Sequence, residues 1–390
     1  MISKTPCPIV FLINSLCEGG AERAMLTIAK QFINDGHTVT ILALTKNNFY
    51  DIPMGVNIIY LSTMDDRKSG LLKMLYMPYH AWKVKQYVKK YKVKTVQSYL
   101  FRANFVNILS TLFFSKQNVQ VVNRSVVSRF FSEGLSGKIN LFLISKLYPK
   151  ADKIIHISKQ MKVDFNKHFF SSLKEKVIYN PYDIKSIALQ IEEPIDNFYF
   201  SKEKHYLITV GRLISLKRFQ DVLYALKELG SNVELILLGD GEERKKLEEI
   251  VVNLSLGTRV HFLGQVKNPF KYIAKSDVFI SSSEIEGFPN VLLESMLCKT
   301  LVISSDCLSG PREILAPKTK ISKQLLSGIE EAEYGFLYAV GDVKKLREIV
   351  DNILRNKSLR ENYTEKAFAY AQNFSVKKIS QKYKEVICYE

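Results

Sequence analysis

Short apolar runs alternate with segments of helical period along most of the chain. The runs Pro8–Ile13 and Thr38–Leu44 are largely apolar, which is typical of strands buried on both faces of a parallel sheet. Polar turns and stretches with apolar residues every three or four positions follow such runs. This alternation predicts an α/β fold built on doubly wound parallel sheets.

The alternation is interrupted near Asn180-Pro181, a pair that breaks regular structure. The residues that follow, through Glu203, are polar and acidic and predict a linker. A second alternation starts at Leu207–Val210, and we expect an irregular insertion at 317–334. Because 390 residues are also long for one domain, we predict two Rossmann-like domains, residues 1–180 and 181–375.

The overall composition is that of a soluble globular protein, with 46% apolar and 24% charged residues. We find no apolar run of about 18 residues that would span a membrane. The start lacks a basic segment followed by a long apolar one, so we expect no signal peptide. The five cysteines are scattered and have no paired metal spacing, which indicates a reducing cytoplasm.

The charge is distributed unevenly between the two halves. Residues 1–180 hold 26 Lys and Arg against 10 Asp and Glu, whereas the remainder holds 30 against 29. Nearly all of the formal net charge of +17 therefore belongs to the first half. Such a half favours anionic partners, which include a membrane leaflet, nucleic acid and a polyphosphate.

A basic helix with aromatic residues is predicted at Leu71–Tyr91. It carries Tyr79 and Trp82 among many lysines, and a helix of this kind can lie on an acidic membrane surface. A solvated lysine-rich face over a stripe of core residues explains the same pattern equally well. The sequence leaves both interpretations open.

One stretch of the second half, Ser281–Glu294, combines a turn with two carboxylates. A predicted strand precedes it, and Pro289 suits the first turn of the helix that follows. A helix start attracts phosphate through its backbone N–H groups, here those of Asn290, Val291 and Leu292.

The two carboxylates, Glu286 and Glu294, flank this predicted anion site. A nucleotide sugar would match, since it has a diphosphate in the middle and hydroxyl groups at both ends. The alternative interpretation is an ordinary capped helix with glutamates on its surface.

Further polar residues follow other predicted strands of the second half. They are Arg212 with Lys217, and Asp240 with Gly241. Since parallel strands end at one edge of a sheet, these groups are predicted to converge with the two glutamates. Two cations and a helix start would neutralise a departing diphosphate, whose negative charge grows in the transition state.

The first half offers a weaker feature of the same type. Gly19 and Gly20 follow its first strand and open a helix, where they would let a ligand approach the backbone closely. They do not form the dinucleotide-binding glycine pattern.

Several motifs that would indicate other chemistry are missing from the sequence. No Asp-x-Asp follows a strand, and no cluster has metal-ligand spacing, so we expect no metal ion and no cofactor, with a nucleotide sugar as a substrate. The lack of a nucleophile elbow and of a phosphate-binding P-loop counts against hydrolases and nucleoside triphosphatases.

Together the motifs resemble those of the retaining glycosyltransferases of family 4, which have the GT-B fold of two domains facing across a cleft. The resemblance spans nearly the whole chain. It is carried by Gly-Gly-Ala-Glu-Arg at 19–23, Asn-Pro-Tyr-Asp at 180–183, Gly-Arg-Leu at 211–213 with Lys217, Gly-Asp-Gly-Glu at 239–242, and Glu-Gly-Phe-Pro-Asn-Val-Leu-Leu-Glu at 286–294.

The resemblance implies a division of labour between the domains. The second would bind a nucleotide-sugar donor and the first an acceptor, with retention of configuration and without a metal. Arg212 and Lys217 would contact the diphosphate, Glu286 the donor sugar and Glu294 the ribose. A final helix, at 376–390, would cross back to complete the first domain.

A narrower likeness concerns the stretch Asn140–Asp152 together with the Asn-Pro turn. Both are similar to bacterial enzymes that add an N-acetylhexosamine to polyprenyl-diphosphate-linked glycans of surface polysaccharides or glycoproteins. The likeness implies a UDP-sugar donor, a lipid-linked acceptor and a peripheral location on the inner face of the cytoplasmic membrane. The basic first half suits an anionic acceptor in an anionic leaflet.

The chain departs from the family pattern at one point. Many members have a histidine near the donor sugar where this chain has Asn123 and Arg124. Arg124 would supply positive charge there, and the histidine that could transfer a proton is missing from this position. His156, on the next predicted strand, is interpreted as structural.

Three other functions compete with this interpretation. A nucleotide-sugar epimerase can have the same architecture, but it would not need a basic, membrane-facing half. A glycosyltransferase with a soluble acceptor would share the donor motifs. A nucleic-acid-binding protein is suggested by the charge alone, and no nucleic-acid-binding module accompanies that charge.

Overall fold

The computed structural model describes residues 8–17, 19–64, 70–112, 117–170 and 174–388, except the side chain of Leu71. The chain divides into two compact units. The first unit comprises Met1–Tyr182 with Phe374–Glu390, and the second unit comprises Asp183–Asn373.

The described part of the first unit contains one sheet of seven parallel strands, in the order β3-β2-β1-β4-β5-β6-β7. Five of the six residues of β1 are buried, because helices cover both faces of a doubly wound sheet. The strands are β1 Pro8–Ile13, β2 Thr38–Ala43, β3 Val56–Tyr60, β4 Thr95–Tyr99, β5 Asn118–Asn123, β6 Lys153–His156 and β7 Glu175–Val177.

The connections between these strands are mostly helical. The helices are α1 Gly20–Asn34, α2 Gly70–Leu75, α3 Met77–Tyr91, α4 Phe101–Thr111, α5 Gly134–Leu147 and α6 Lys159–His168. The prediction of a single helix at 71–91 was wrong in one respect, since α2 ends at Leu75 and α3 begins at Met77. Pro78 lies in the first turn of α3, where its missing N–H suits a helix start.

The described part of the second unit also contains one seven-stranded sheet, in the order β10-β9-β8-β11-β12-β14-β13. Only β13 runs antiparallel to its neighbour. The strands are β8 His205–Val210, β9 Val233–Leu238, β10 Val260–Gly264, β11 Val278–Ser281, β12 Leu301–Ser305, β13 Ile329–Glu331 and β14 Phe336–Tyr338. The insertion predicted at 317–334 is therefore not wholly irregular, because it contributes β13 to the sheet edge.

The helices of the second unit are α7 Ile184–Ile191, α8 Phe219–Lys227, α9 Arg244–Asn253, α10 Phe270–Lys275, α11 Asn290–Leu297, α12 Pro311–Leu315, α13 Val343–Arg355 and α14 Lys357–Ala371. The linker predicted after Asn180 contains α7. Its start is capped by Asp183, whose Oδ1 accepts the N–H of Ser186 at 3.1 Å.

The last helix, α15 Val376–Cys388, belongs to the first unit. Thr95 on β4 donates its hydroxyl to the carbonyl of Ile387 at 3.3 Å, and the side-chain amide of Gln120 on β5 donates to the carbonyl of Val386. Tyr383 is fully buried. The end of the chain thus forms part of the packing of the first sheet.

Each unit has its own hydrophobic core around its sheet. The predicted pair of doubly wound, parallel sheets is confirmed, with the single antiparallel edge strand as an addition. Because parallel strands end at a common edge, each unit gathers the loops after its strands along one side.

Candidate functional site

The loops that follow β8 and β11 in the second unit are joined by hydrogen bonds. The hydroxyl of Ser282 donates to the carbonyl of Lys217 at 2.7 Å, and the N–H of Glu284 donates to the carbonyl of Leu216 at 2.8 Å. These contacts bring together two strand ends whose residues lie far apart in sequence.

Lys217 and Glu286 form an ion pair at this junction. Lys217 Nζ lies 2.5 Å from Glu286 Oε1, and the hydroxyl of Ser283 donates to the same oxygen at 2.7 Å. The two charged side chains are only 24% and 12% exposed, so solvent screens their attraction less than at an open surface. The carboxylate is therefore fixed by two donors before any ligand arrives.

The loop after β12 holds the Glu286 segment from the other side. The N–H of Glu286 donates to the carbonyl of Leu308 at 2.8 Å, and the N–H of Ser309 donates to the carbonyl of Glu286 at 3.0 Å. Gly310 has φ +99°, and a Cβ there would lie 2.5 Å from Cδ of Pro289. Only glycine fits, so the backbone around Glu286 is closely packed.

The helix that follows Glu286 differs in one detail from the prediction. Pro289 is the N-cap residue of α11, and Asn290 is the first helical residue. The N–H of Leu292 donates to the carbonyl of Pro289 at 3.1 Å, so this amide is not free, as the prediction of a phosphate donor assumed. A tightened first turn uses this amide, while Asn290 and Val291 lie at the helix start as expected.

Glu294 lies one turn inside α11 and is 4% exposed. Burial, and secondarily the negative charge of Glu294, raise the pKa of the Cys298 thiol one turn further on. The carboxylate is therefore an interior group rather than a surface glutamate, which argues against the ordinary-helix interpretation.

The other predicted residues of this edge follow β8 and β9. Arg212 is exposed directly after β8. Asp240 has a side chain that is 57% exposed, lies 3.5 Å from Arg244, and accepts the N–H of Gly241 at 2.8 Å. A Cβ at Gly241 would overlap the carbonyl oxygen of Leu213, so this glycine allows close packing between the two loops.

The double glycine of the first unit lies at the start of α1, beside two polar side chains. Arg124 donates to the carbonyl of Gly20 at 2.8 Å and to Oδ1 of Asn180 at 2.6 Å. A Cβ at Gly19 would overlap the carboxylate of Glu22. The double-glycine loop, Arg124 and the Asn-Pro turn therefore meet at the strand-end edge of the first sheet.

His156 is enclosed in a buried network. Its Nε2 lies 3.2 Å from Oε2 of Glu175, its Nδ1 lies 3.4 Å from Nδ2 of Asn123, and Tyr148 donates to Oδ1 of Asn123 at 2.9 Å. Burial lowers the pKa of His156, although Glu175 opposes that shift. The enclosure agrees with a structural role for this histidine.

Aromatic residues are exposed on one side of α3. Tyr79 and Trp82 are 42% and 50% exposed, and the Lys83 ammonium lies 5.6 Å from the centre of each ring. We call these three residues the α3 aromatic face. Within the described ranges, no helix has the length and apolar character needed to cross a membrane.

Sequence reasoning missed two polar residues of these edges. Ser283 lies in the predicted stretch Ser281–Glu294 but received no role, although a hydroxyl three residues before a carboxylate can bond to it. Glu22 was quoted within a motif and likewise received none. In the described part of the chain, no group of three or more His, Cys, Asp and Glu is arranged to hold a metal ion.

Two family models match consecutive parts of the chain. The model described as Glycosyltransferase Family 4 matches residues 18–186, and the model described as Glycosyl transferases group 1 matches residues 190–370. The first match covers the double glycine and Arg124, and the second covers the region from Arg212 to Glu294.

Two relatives from Campylobacter jejuni match over nearly their full length. One is named N-acetylgalactosamine-N,N'-diacetylbacillosaminyl-diphospho-undecaprenol 4-alpha-N-acetylgalactosaminyltransferase and is 29% identical, covering 95% of this chain and 96% of the relative. The other is named as an alpha-1,4-N-acetyl-D-galactosaminyltransferase of a diNAcBac-PP-undecaprenol-linked glycan and is 25% identical, covering 97% of this chain and 98% of the relative.

The fold is similar to that of the Anabaena protein HepE, whose crystal structure was solved in complex with UDP. The TM-score is 0.75 with 23% identity, covering 97% of this chain and 98% of that chain. The fold class is therefore GT-B, as the sequence motifs implied.

Proposed function

The chain belongs to glycosyltransferase family 4, and we propose that it is a retaining enzyme that needs no metal. It transfers an N-acetylhexosamine from a UDP-sugar to a polyprenyl-diphosphate-linked glycan. The general activity, transfer of a sugar, follows from membership of this family. The donor, the stereochemistry, the metal independence and the acceptor are the proposal.

The contact between Lys217, Ser283 and Glu286 is the observation that carries the donor side. Lys217 and the exposed Arg212 offset the negative charge that develops on a departing diphosphate, together with the start of α11. Glu286 accepts hydrogen bonds from hydroxyl groups of the donor sugar. Glu294 accepts them from the ribose.

Protein cations in fixed positions stabilise the diphosphate, as a metal ion does in other nucleotide-sugar enzymes. The ion pair places a cation beside a carboxylate, and the carboxylate keeps that cation oriented until a diphosphate competes for it. Retention of configuration is proposed from family membership.

The basic first half supports the lipid-linked acceptor. The Campylobacter relatives are named for undecaprenol-linked acceptors, and both match this chain over almost their whole length. The net charge of +16 in residues 1–180 attracts both the acceptor diphosphate and an anionic leaflet. The α3 aromatic face supplies apolar rings beside a lysine for contact with that leaflet.

Labelled UDP-N-acetylhexosamines, incubated with bacterial membrane lipid extract in the presence of a chelator, test the proposal. We expect label to move into the lipid phase and the new linkage to keep the donor configuration, as read from its NMR coupling constant. Release of free epimerised sugar nucleotide would indicate an epimerase instead. Label that enters only water-soluble glycans would contradict the acceptor, and loss of transfer on chelation would contradict metal independence.

A further inference from the structure

The first unit contains a cavity of about 310 Å³ at the strand-end edge of its sheet. Its walls come from the segments after β1 and β4 and from helices α1, α2, α3, α4 and α5. Ligand pockets usually have volumes of about 300–1,000 Å³. This cavity is at the small end of that range, which suits one sugar ring rather than an oligosaccharide.

Glu22 is the acidic group of the cavity wall. The residue is 4% exposed, and the Cys17 thiol lies 3.6 Å from its Oε1. The carboxylate lies over the backbone of Gly19, because a Cβ there would overlap Oε2. Gly19 has φ 179°, an extended conformation that any residue can adopt, so what glycine provides here is room for the carboxylate.

Neutral polar groups from other elements line the same cavity. They are supplied by Asn14, Ser136 and Asn140. Oδ1 of Asn14 accepts the N–H of Ala103 at 3.0 Å, which fixes the side chain at the end of β1. A fixed amide, a carboxylate and hydroxyl groups together are suited to binding the several hydroxyl groups of a sugar.

The wall of the cavity also has an apolar part. This part is formed by the side chains of Met74, Met77, Leu100 and Phe105. Leu100 has φ +75°, a costly conformation for a leucine that tends to occur at functional sites. An apolar wall beside polar groups fits an acetamido group, which has a methyl group at one end and a hydrogen-bonding amide at the other.

We propose that this cavity binds the terminal N-acetylated hexose of the acceptor, with Glu22 accepting a hydrogen bond from one of its hydroxyl groups and the apolar wall contacting its acetamido methyl. Lys73 and Arg102 also line the cavity. The inference rests on the proposed function, because it assigns the cavity to the acceptor of the same reaction.

Saturation-transfer NMR on the full chain, with two probes, tests the assignment. The probes are methyl α-N-acetylgalactosaminide and methyl α-galactoside, which differ only in the acetamido group. We expect at least about tenfold tighter binding of the acetylated sugar, with the strongest saturation on its acetyl methyl. Equal binding of the two probes, or binding of neither, would overturn the proposal.

Two substitutions and a matched control locate the binding. Glu22→Gln removes the charge and Gly19→Ala displaces the carboxylate, so each is expected to weaken binding of the acetylated probe about tenfold or more. Asp35→Asn removes one negative charge from the exposed far end of the same helix and is expected to change nothing. Equal effects of Glu22→Gln and Asp35→Asn would contradict a role for Glu22.

Two further readouts separate the cavity from the fold and from the donor side. Circular dichroism checks that each variant is folded, and UDP binding in the same samples should be unchanged by Glu22→Gln. In the transfer assay we expect the KM for the lipid acceptor to rise while the KM for the donor stays constant. A wild-type chain that binds the acetylated probe but no UDP-sugar would contradict the proposed function and leave the cavity assignment standing.

Discussion

The strand-end edges of the two sheets are built differently. In the second unit, backbone hydrogen bonds tie the loops after β8, β11 and β12 together around one ion pair, Lys217 with Glu286. In the first unit, the corresponding edge surrounds a cavity of about 310 Å³, lined by long side chains from several helices. The excess positive charge also lies in residues 1–180.

The difference corresponds to the two tasks proposed for the units. Stabilising a departing diphosphate requires charges that are already in place, because reorganisation during the reaction costs free energy. Recognising an acceptor requires shape and charge that can differ between enzymes sharing one donor chemistry. A closely packed edge suits the first task, and a cavity with a charged surface suits the second.

The largest expected effect concerns the ion pair. Lys217→Ala should lower kcat/KM for transfer by about 10²–10³, since one preorganised group that stabilises transition-state charge typically contributes that much. Lys246, which pairs with Glu243 at 2.8 Å on the surface of the same unit, provides the control. If Lys246→Ala and Lys217→Ala lower transfer equally, the ion pair has no special role in the reaction.

Acidification should lower the free energy of unfolding of the first unit through His80. His80 is fully buried in the first unit, and burial, with a smaller contribution from Arg102, lowers its pKa to about 4. The unfolded chain takes up a proton near pH 6.5. Stability is therefore lost as pH falls from about 6.5 to about 4, by about 3 kcal/mol in total for this group.

The single tryptophan of the chain, Trp82, lies on the same helix as His80, so its fluorescence reports unfolding of the first unit. Urea unfolding at pH 7 and at pH 4.5 would measure the loss, and His80→Gln should reduce it. His261→Gln is the control variant, because His261 is partly exposed and its Nε2 lies 2.8 Å from Oε2 of Glu234 in the second unit. A pH dependence that survives His80→Gln unchanged would contradict the assignment.

The sequence predicted most of the long elements, although β4 and α6 were missed, and it assigned Lys217 and Glu286 to one sheet edge. Buried strands such as β1 and β8 are apolar at most positions, and the motif around Glu286 follows a strand directly, so its place at the sheet edge could be inferred. The three-residue strands β7, β13 and β14 were not predicted, because so few residues carry no readable period.

The contacts inside the site were harder to predict than its location. Lys217 and Glu286 were assigned to one edge, but their pairing depends on hydrogen bonds between loops that are distant in sequence. The N–H of Leu292 bonds to the carbonyl of Pro289, a residue whose ring lies close to Gly310 in the loop after β12. Such details follow from tertiary packing, which local patterns do not contain.

A smaller effect is expected at the surface of the first unit. Trp82→Ala should lower binding to vesicles that contain anionic phospholipid by about tenfold, because it removes a large apolar ring from the α3 aromatic face. Vesicle co-sedimentation at low and high salt measures the change. Tyr199→Ala, which removes an 83% exposed aromatic ring from the second unit, should leave binding unchanged. Equal losses in the two variants would show that membrane contact is not specific to the first unit.

The smallest expected effect tests how completely the second edge is preorganised. Ser283→Ala removes one of the two donors to Oε1 of Glu286 and leaves Lys217 in place. We therefore expect kcat to fall only about threefold to tenfold, which corresponds to the net contribution of a typical hydrogen bond, because the carboxylate keeps Lys217 as its charged partner. Ser283→Thr should restore most of the activity, and the KM for the acceptor should not change.

Ser276→Ala is the control, because it removes a buried hydroxyl that donates to the carbonyl of Tyr272 elsewhere in the unit. A loss as large as that of Lys217→Ala would mean that the serine, rather than the lysine, determines the position of Glu286, whereas no loss would mean that the ion pair alone is sufficient.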